Sequence, residues 1–449
     1  MPTSRAAPAP GSFSLLLARA VEARRDEVAA LLWSFLYFFC LLASYYTIRP
    51  VRDEMAVQFG SQNLQWLFTG TFVTMVAIIP VFGWLAGRFP VAKLLPIVYG
   101  FFVLNLIGFH LALDAGLPVR TVAPMFFVWA SVFNLFVVSV FWSFMADFWS
   151  NDAAKRLFGF VSAGGSIGAI VGPAITAWIA PTVGIKNLLL VSAVLLAGSI
   201  VCIIALLRVY ARLHGNAQRF LRTAGTDQGE KPRLLEGVIR IARSPYLIGI
   251  CVFLICYTLL STLLYFHQTK LVPEVVTTPE ARTRLFASVD LAVNILTVLV
   301  QFFLTGRLLS KLGMTAMLAA LPVLSVVGFV ALGAWTVLPV LVVFGVLRRA
   351  GEYAISKPSR ETLFTVVPRE EKYQAKNVID TVIHRGGDAA SSWMAAGLQV
   401  LGLSLSAMAF VGVPVAVVWL VTAIYLGRKH DELRAALPPE AEAEKSVSP

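Results

Sequence analysis

Charge is what this sequence has least of. Only 14% of its 449 residues are charged while 58% are apolar, and the mean hydropathy is +0.77. A soluble globular domain carries roughly 25% charged residues, so a water-soluble fold is excluded and an all-α integral membrane protein is expected. Cysteine is scarce too: Cys40, Cys202, Cys251 and Cys256 lie inside apolar runs, without paired spacing or neighbouring histidines. That excludes a disulfide framework and a zinc site and leaves packing as their expected role. There is no P-loop and no organised Ser-His-Asp set, so neither catalysis nor a cofactor nor a metal is expected.

What is abundant is long apolar runs, continuous rather than alternating, which points to helices and not to a β-barrel. A hydrocarbon core about 30 Å thick needs roughly 20 apolar residues per helix. Twelve runs meet this: residues 28–48, 64–86, 94–113, 122–144, 157–179, 188–207, 246–266, 285–308, 316–334, 337–356, 378–401 and 405–426. They divide the chain into a leader (1–27), a six-helix half (28–208), a basic linker (209–243), a second six-helix half (244–427) and a tail (428–449). Residues 12–26 read as an amphipathic helix at the membrane surface. With the amino terminus inside, seventeen basic residues fall in inner loops and at most seven in outer ones. Both termini are therefore expected in the cytoplasm, with the net charge of +12 reporting topology and not nucleic-acid binding. A bacterial inner membrane and a monomer are the expected setting.

An ionised side chain at the centre of a membrane helix costs roughly 2.5–3.5 kcal/mol on insertion scales, so such residues usually face a wet cavity. They cluster in three places: Arg49, Arg52, Asp53 and Glu54 at the end of run 1; "RRAGEYAISKPSRE" in run 10; and "IDTVIHRGGD" in run 11. Arg349, Glu352 and Tyr353 recur at helical spacing, continued by Lys357, Arg360 and Glu361, and Asp380, His384 and Asp388 are four apart on one face. Arginine suits polyanions because its guanidinium stays charged and grips phosphate or carboxylate bidentately. Ion pairs that clamp the halves are the alternative use for single residues, Arg385 with Asp388 among them. The glycines of "SAGGSIGAIVGP" are read as close helix packing.

The two halves repeat. Gly83 of "GWLAGRFP" aligns with Gly306 of "GRLLSKLG", Lys155 with Lys376, and Gly164-Gly165 with Gly386-Gly387, at offsets agreeing to within two residues. Gly83, Arg88, Lys155, Gly306 and Lys376 are accordingly expected in conformational loops between spans. Two six-helix halves with a basic linker is similar to the major facilitator architecture, where the substrate site lies near midplane between the halves.

The runs "YYTIRPVRDEMAV", "FWSFMADFWSNDAAKRLFGF", "RSPYLIGICVFLICY" and "EYAISKPSRETLFTVVPREEKYQAKNVID" resemble the nucleotide (ATP/ADP) translocase family of plastids and intracellular bacteria. The family pattern Arg-Asp-x-Lys-Asp falls on Arg49-Pro50-Val51-Arg52-Asp53, and Lys-Tyr-x-x-x-Asp-Pro-Thr-Lys-Glu falls on Glu352 through Glu361. The resemblance puts lysines that contribute to transport at Arg52 and Arg360. It puts two family glutamates at Ala130 and Tyr265, and finds the charges of Glu352 and Lys357 exchanged.

It implies a secondary transporter of an organic anion, nucleotide-like or phosphorylated, exchanging it by alternating access. The cavity is expected between spans 1, 4, 5, 7, 10 and 11, with Arg52 and Arg360 facing across it. Arg49, Arg52, Asp53, Tyr265, Arg348, Glu352, Tyr353, Lys357, Arg360 and Glu361 are the expected substrate-binding set, and Asp380, His384 and Asp388 the candidate coupling residues. Proton-coupled symport of another organic anion, and a non-transporting receptor or envelope helper subunit, stay open as alternatives.

Overall fold

The computed structural model describes residues 24, 27–214, 234–368, 375–376 and 378–436. Most of the leader and tail, the linker core 215–233, and Arg369 and Lys372 of the inner loops lie outside the described residues. Among the described residues there is no strand. The helices are α1 (Val28–Phe59), α2 (Leu64–Arg88), α3 (Val91–Asp114), α4 (Val119–Phe148), α5 (Asn151–Val183), α6 (Ile185–His214) and the short α7 (Leu234–Arg243). They continue with α8 (Pro245–Val275), α9 (Pro279–Val300), α10 (Gly306–Ala334), α11 (Leu338–Gly351), α12 (Lys357–Leu363), α13 (His384–Val400) and α14 (Leu405–Ala435). Nine of the described helices are long and apolar enough to cross a membrane by length and composition.

Short polar caps start the helices. Ser150, Ser244, Thr278 and Ser404 each accept a hydrogen bond from the backbone N–H three residues on, opening α5, α8, α9 and α14. Such caps contribute about 1 kcal/mol each. The connections are tighter than the repeat implied, and this corrects one expectation. Gly83 and Arg88 lie inside α2, Lys155 inside α5, Gly306 begins α10 and Lys376 is helical, so none of the five is a loop residue. Only Phe89-Pro90 separate α2 from α3 and Trp149-Ser150 separate α4 from α5. In the second half the break comes at Gly313, whose φ of 75° is left-handed, a conformation open to glycine.

In lipid, helices associate through packing and polar contacts, not through apolar burial against water. The glycine stripe of α5 shows this against α1. A Cβ on Gly164, Gly168 or Gly172 would lie 2.4, 2.4 or 2.6 Å from the carbonyl oxygens of Phe35, Phe39 and Ala43. The two backbones touch only because those side chains are hydrogen, as the packing reading expects.

Apolar packing forms two clusters. One runs from Val28 to Tyr210 around Tyr37, Phe133, Phe141 and Phe144. The other draws mainly on Ile241 to Leu426 around Phe253, Phe329 and Trp419, and takes in Ala56, Val57, Leu64, Leu67 and Phe127 from α1, α2 and α4. Polar contacts tie them together: Asn294 Nδ2 of α9 donates to the Ala169 carbonyl of α5 at 2.6 Å, and Trp393 Nε1 of α13 donates to Thr69 Oγ1 of α2 at 3.0 Å.

Among the described residues three π-helical turns interrupt the ladder, at Gln301–Thr305, Glu352–Ser356 and Ile379–Ile383. Such a turn carries an extra residue, so the helix beyond it is rotated relative to the helix before it. Two of them lie within the charged segments.

Candidate functional site

Arg49 and Arg52 sit three apart on α1, which continues through Pro50 to Phe59 as one helix. The helix thus carries both guanidiniums past its apolar stretch to a common face. There they line a cavity of about 200 Å³ with Asp53, with Tyr257, Ser261, Tyr265 and Gln268 of α8, and with Arg348, Arg349 and Tyr353 of α11 and its π turn. A second cavity of about 260 Å³ shares Arg49, Arg52, Tyr257, Ser261 and Tyr265 and adds Phe72 of α2, Ser131 of α4, and His384, Arg385 and Asp388 of α13. A larger cleft of about 790 Å³ between α2, α3 and α4 is lined by Trp66, Phe101, Trp129 and other apolar or neutral groups. With no charge on its walls it suits lipid, not a polar solute.

The charged groups of the first cavity are held differently from one another. Arg52 donates to the neighbouring Asp53 at 2.7 Å and lies 5.1 Å from the Phe127 ring centroid. Tyr265 donates its hydroxyl to the same Asp53 oxygen at 3.2 Å. Behind the wall, Asp290, on α9 and 1% exposed, lines neither cavity but uses one oxygen for both Arg349 Nη2 at 2.6 Å and Arg49 Nη1 at 3.3 Å. Its other oxygen is buried without a hydrogen-bond partner among the described residues. Arg348, 3% exposed, has no carboxylate within ion-pair distance among the described residues. Its Nη2 donates to the Tyr257 carbonyl at 3.1 Å and to Ser261 Oγ at 2.8 Å, its guanidinium lies over the Tyr257 ring, and its Nε has no acceptor.

The two π turns sort the residues expected from the sequence. Ahead of Glu352–Ser356, Arg348 reaches the cavity, and so does Tyr353 within the turn. Beyond it, Lys357, Arg360 and Glu361 line neither cavity, and Glu352 does not either. Glu352 pairs with Arg360 at 4.0 Å and Glu361 with Lys376, so Arg360 does not face Arg52 across these cavities. On α13 the same logic holds: His384 and Asp388 line the second cavity, but Asp380, inside the turn Ile379–Ile383, does not. Arg385 and Asp388 form the expected pair at 3.6 Å. Span 5 lends nothing to either cavity, its small residues being spent against α1, while α9 and α2 contribute walls that were not expected.

Sequence reasoning misses Asp290, Tyr257, Ser261 and Gln268, and it finds Arg349 only as part of a stripe. Asp290 has a legible signal as a lone carboxylate in "FASVDLAVNILTVL". Glu54, one of the span 1 charges, accepts from Arg282 Nε at 2.8 Å and Nη2 at 2.7 Å.

Four arginines from two separate helices at the wall of one cavity, with tyrosines between them, can hold an anion bidentately and stack on a planar group. A profile of the Major Facilitator Superfamily matches residues 34–387, most of the chain and all of this site except Asp388. The chain belongs to the Major Facilitator Superfamily.

Among curated relatives, ADP,ATP carrier protein 1 of Chlamydia muridarum is 22% identical over 94% of this chain and 93% of its own. The ADP,ATP carrier protein 1 of Chlamydia pneumoniae is 21% identical over 90% and 91%. An auto-inhibited POT family peptide transporter superposes with a TM-score of 0.62 at 14% identity, covering 91% of this chain and 97% of that one. A bacterial homologue of the iron transporter ferroportin, in an inward-facing state, gives 0.60 at 13% identity over 90% and 98%. These likenesses carry the helical architecture, and the resemblance to ATP/ADP translocases read from the motifs stands with them.

Proposed function

We propose that this superfamily member is a secondary transporter that exchanges an organic anion, a nucleotide or phosphorylated metabolite, by alternating access. The observation that carries the reading is the convergence of Arg49, Arg52, Arg348 and Arg349 on one cavity in so apolar a chain. Arginine at a membrane depth is expensive unless it faces a wet path or a counter-ion. The resemblance to carriers named for ADP and ATP supports the nucleotide class.

The architecture proposed is twelve spans in two six-helix halves, 28–208 and 244–427, with both termini in the cytoplasm of a bacterial inner membrane and the monomer as the working unit. The separate apolar clusters and the π-interrupted α11 and α13 support it. In this topology the ties Glu54–Arg282 and Trp393–Thr69 join the two halves toward the outer ends of the helices. Rocking the halves requires Arg49 to part from Asp290 and Glu54 from Arg282, and an anion between the arginines takes over the first of these contacts.

Proton-coupled symport is the second reading, favoured by Asp388 on the wall of the second cavity beside Arg385. Counterflow in proteoliposomes against a panel of labelled nucleotides and organic phosphates tests the proposal. Uptake driven by internal substrate and surviving an uncoupler is expected. Uptake that collapses with the proton gradient selects the symport reading, and no uptake of any anion contradicts both.

A further inference from the structure

Two aspartates stand against four arginines at this site, and the imbalance is localised. Asp53 matches Arg52. Asp290 is shared by Arg49 and Arg349, leaving one positive charge over. Arg348 has, among the described residues, only neutral acceptors, leaving a second. Among the described residues the other charges nearby are matched in sign: Glu54 is closed by Arg282, Arg385 pairs with Asp388 at 3.6 Å, and Glu352 stands 4.0 Å from Arg360. His384 is an uncharged neighbour when its imidazole is neutral, stacked on Tyr257 at 6.2 Å, and Lys357 is exposed away from both cavities.

We propose that the carried substrate is a dianion, a phosphomonoester, whose two charges neutralise this surplus at Arg348 and at the Arg49–Asp290–Arg349 group. The inference rests on the transport reading and specifies its substrate class. Alternating access passes through states in which the site is sealed from water on both sides. There each unmatched charge carries the desolvation penalty of a buried ion, several kcal/mol after relaxation. An empty site holds two such charges and does not cross; a site filled by a dianion is neutral and does.

The same balance makes exchange obligatory and electroneutral, and it gives Asp290 a role as the residue that sets substrate charge. Removing its carboxylate raises the surplus by one, and removing Arg348 lowers it by one. A phosphomonoester is suited to the site because its second pKa of about 6 leaves it with about −1.5 to −2 charge at pH 7.

The test uses the full-length protein in proteoliposomes with four labelled adenine nucleotides: cyclic AMP, AMP, ADP and ATP, carrying roughly one to four negative charges. Wild type is expected to exchange AMP at least about tenfold faster than the others, without response to an imposed membrane potential, and more slowly at pH 5.5 than at pH 7.5. Asp290→Asn is expected to move the preference to ADP, and Arg348→Gln to move it toward cyclic AMP, each by about tenfold in the rate ratio. Because the two variants shift the ranking in opposite directions, loss of folding in one still leaves the other decisive.

A wild-type preference for ATP, or variants that lower all four rates equally, overturns the charge inference while the transport reading survives. No entry of any nucleotide, with other organic phosphates carried, overturns the adenine-nucleotide form of both. No entry of any anion removes the transport reading itself.

Discussion

Glu54 and Asp290 are two buried carboxylates that each tie α1 to α9, and they are built in opposite ways. Glu54 has both oxygens engaged by Arg282 and a third donor in Gln58, so charge and hydrogen bonding close completely. Asp290 offers one oxygen to two arginines and leaves the other unpartnered among the described residues. A closed pair resembles a clasp, stable with nothing added. The open group resembles a socket, in which two cations share an acceptor that one more anion can relieve. On the transport reading proposed above, the difference separates residues that hold the conformation from residues that answer to a ligand.

The largest effect is expected from damage to the clasp. Glu54→Gln leaves Arg282 without its counter-charge, and breaking one partner of a buried pair destabilises by about 3–5 kcal/mol. Denaturation of the detergent-solubilised protein is expected to show that loss, while the ranking of substrates by charge stays as in wild type. A changed ranking would mean that Glu54 belongs to the socket. On the socket side, Arg348→Gln removes a charge-assisted contact worth about 1.5–3 kcal/mol, so substrate affinity is expected to fall roughly ten- to hundredfold with stability retained or raised. Unaltered affinity would make Arg348 a packing residue.

Away from both, Gly168→Ala forces a methyl to within 2.4 Å of the Phe39 carbonyl. Overpacking of this kind costs about 1–3 kcal/mol, visible as lower thermal stability without a change of substrate charge. Smallest is Trp393→Phe, which deletes the hydrogen bond to Thr69 and is expected to cost about 0.5–1.5 kcal/mol. If that bond closes the outer side, the variant shows faster labelling of cysteines introduced at the outer ends of α2 and α13.

How much of the molecule is legible in the sequence depends on the range of each interaction. Arg49, Arg52 and Arg348 are legible because charge in an apolar run is improbable without a purpose, and the glycines of α5 because small residues at helical spacing imply backbone contact. Asp290 is visible as a lone carboxylate, but its partners lie 241 and 59 residues away in the chain, and a pairing of that range is set by helix packing. The π turns are not legible at all. They arise where packing inserts a residue into a helix, and they decide that Arg348 and Tyr353 enter the cavity while Lys357, Arg360 and Glu361 do not. Uniform helical periodicity carried across Ser356 therefore continues the stripe of Arg349, Glu352 and Tyr353 to Lys357, Arg360 and Glu361, and carried across Ile383 it puts Asp380 on the same wall as His384 and Asp388. The loop assignments at Gly83 and Gly306 fail for a related reason. Glycine inside a membrane helix is tolerated where neighbouring helices restore the contacts, so it marks no boundary.

Every part of this reading depends on an anion passing through the cavity walled by these arginines. Counterflow of labelled AMP, compared in proteoliposomes holding wild type and Arg52→Ala with equal amounts of inserted protein verified in each, decides the matter. Uptake by wild type and its loss in the variant are expected; equal uptake by the two would mean that the anion does not pass this way.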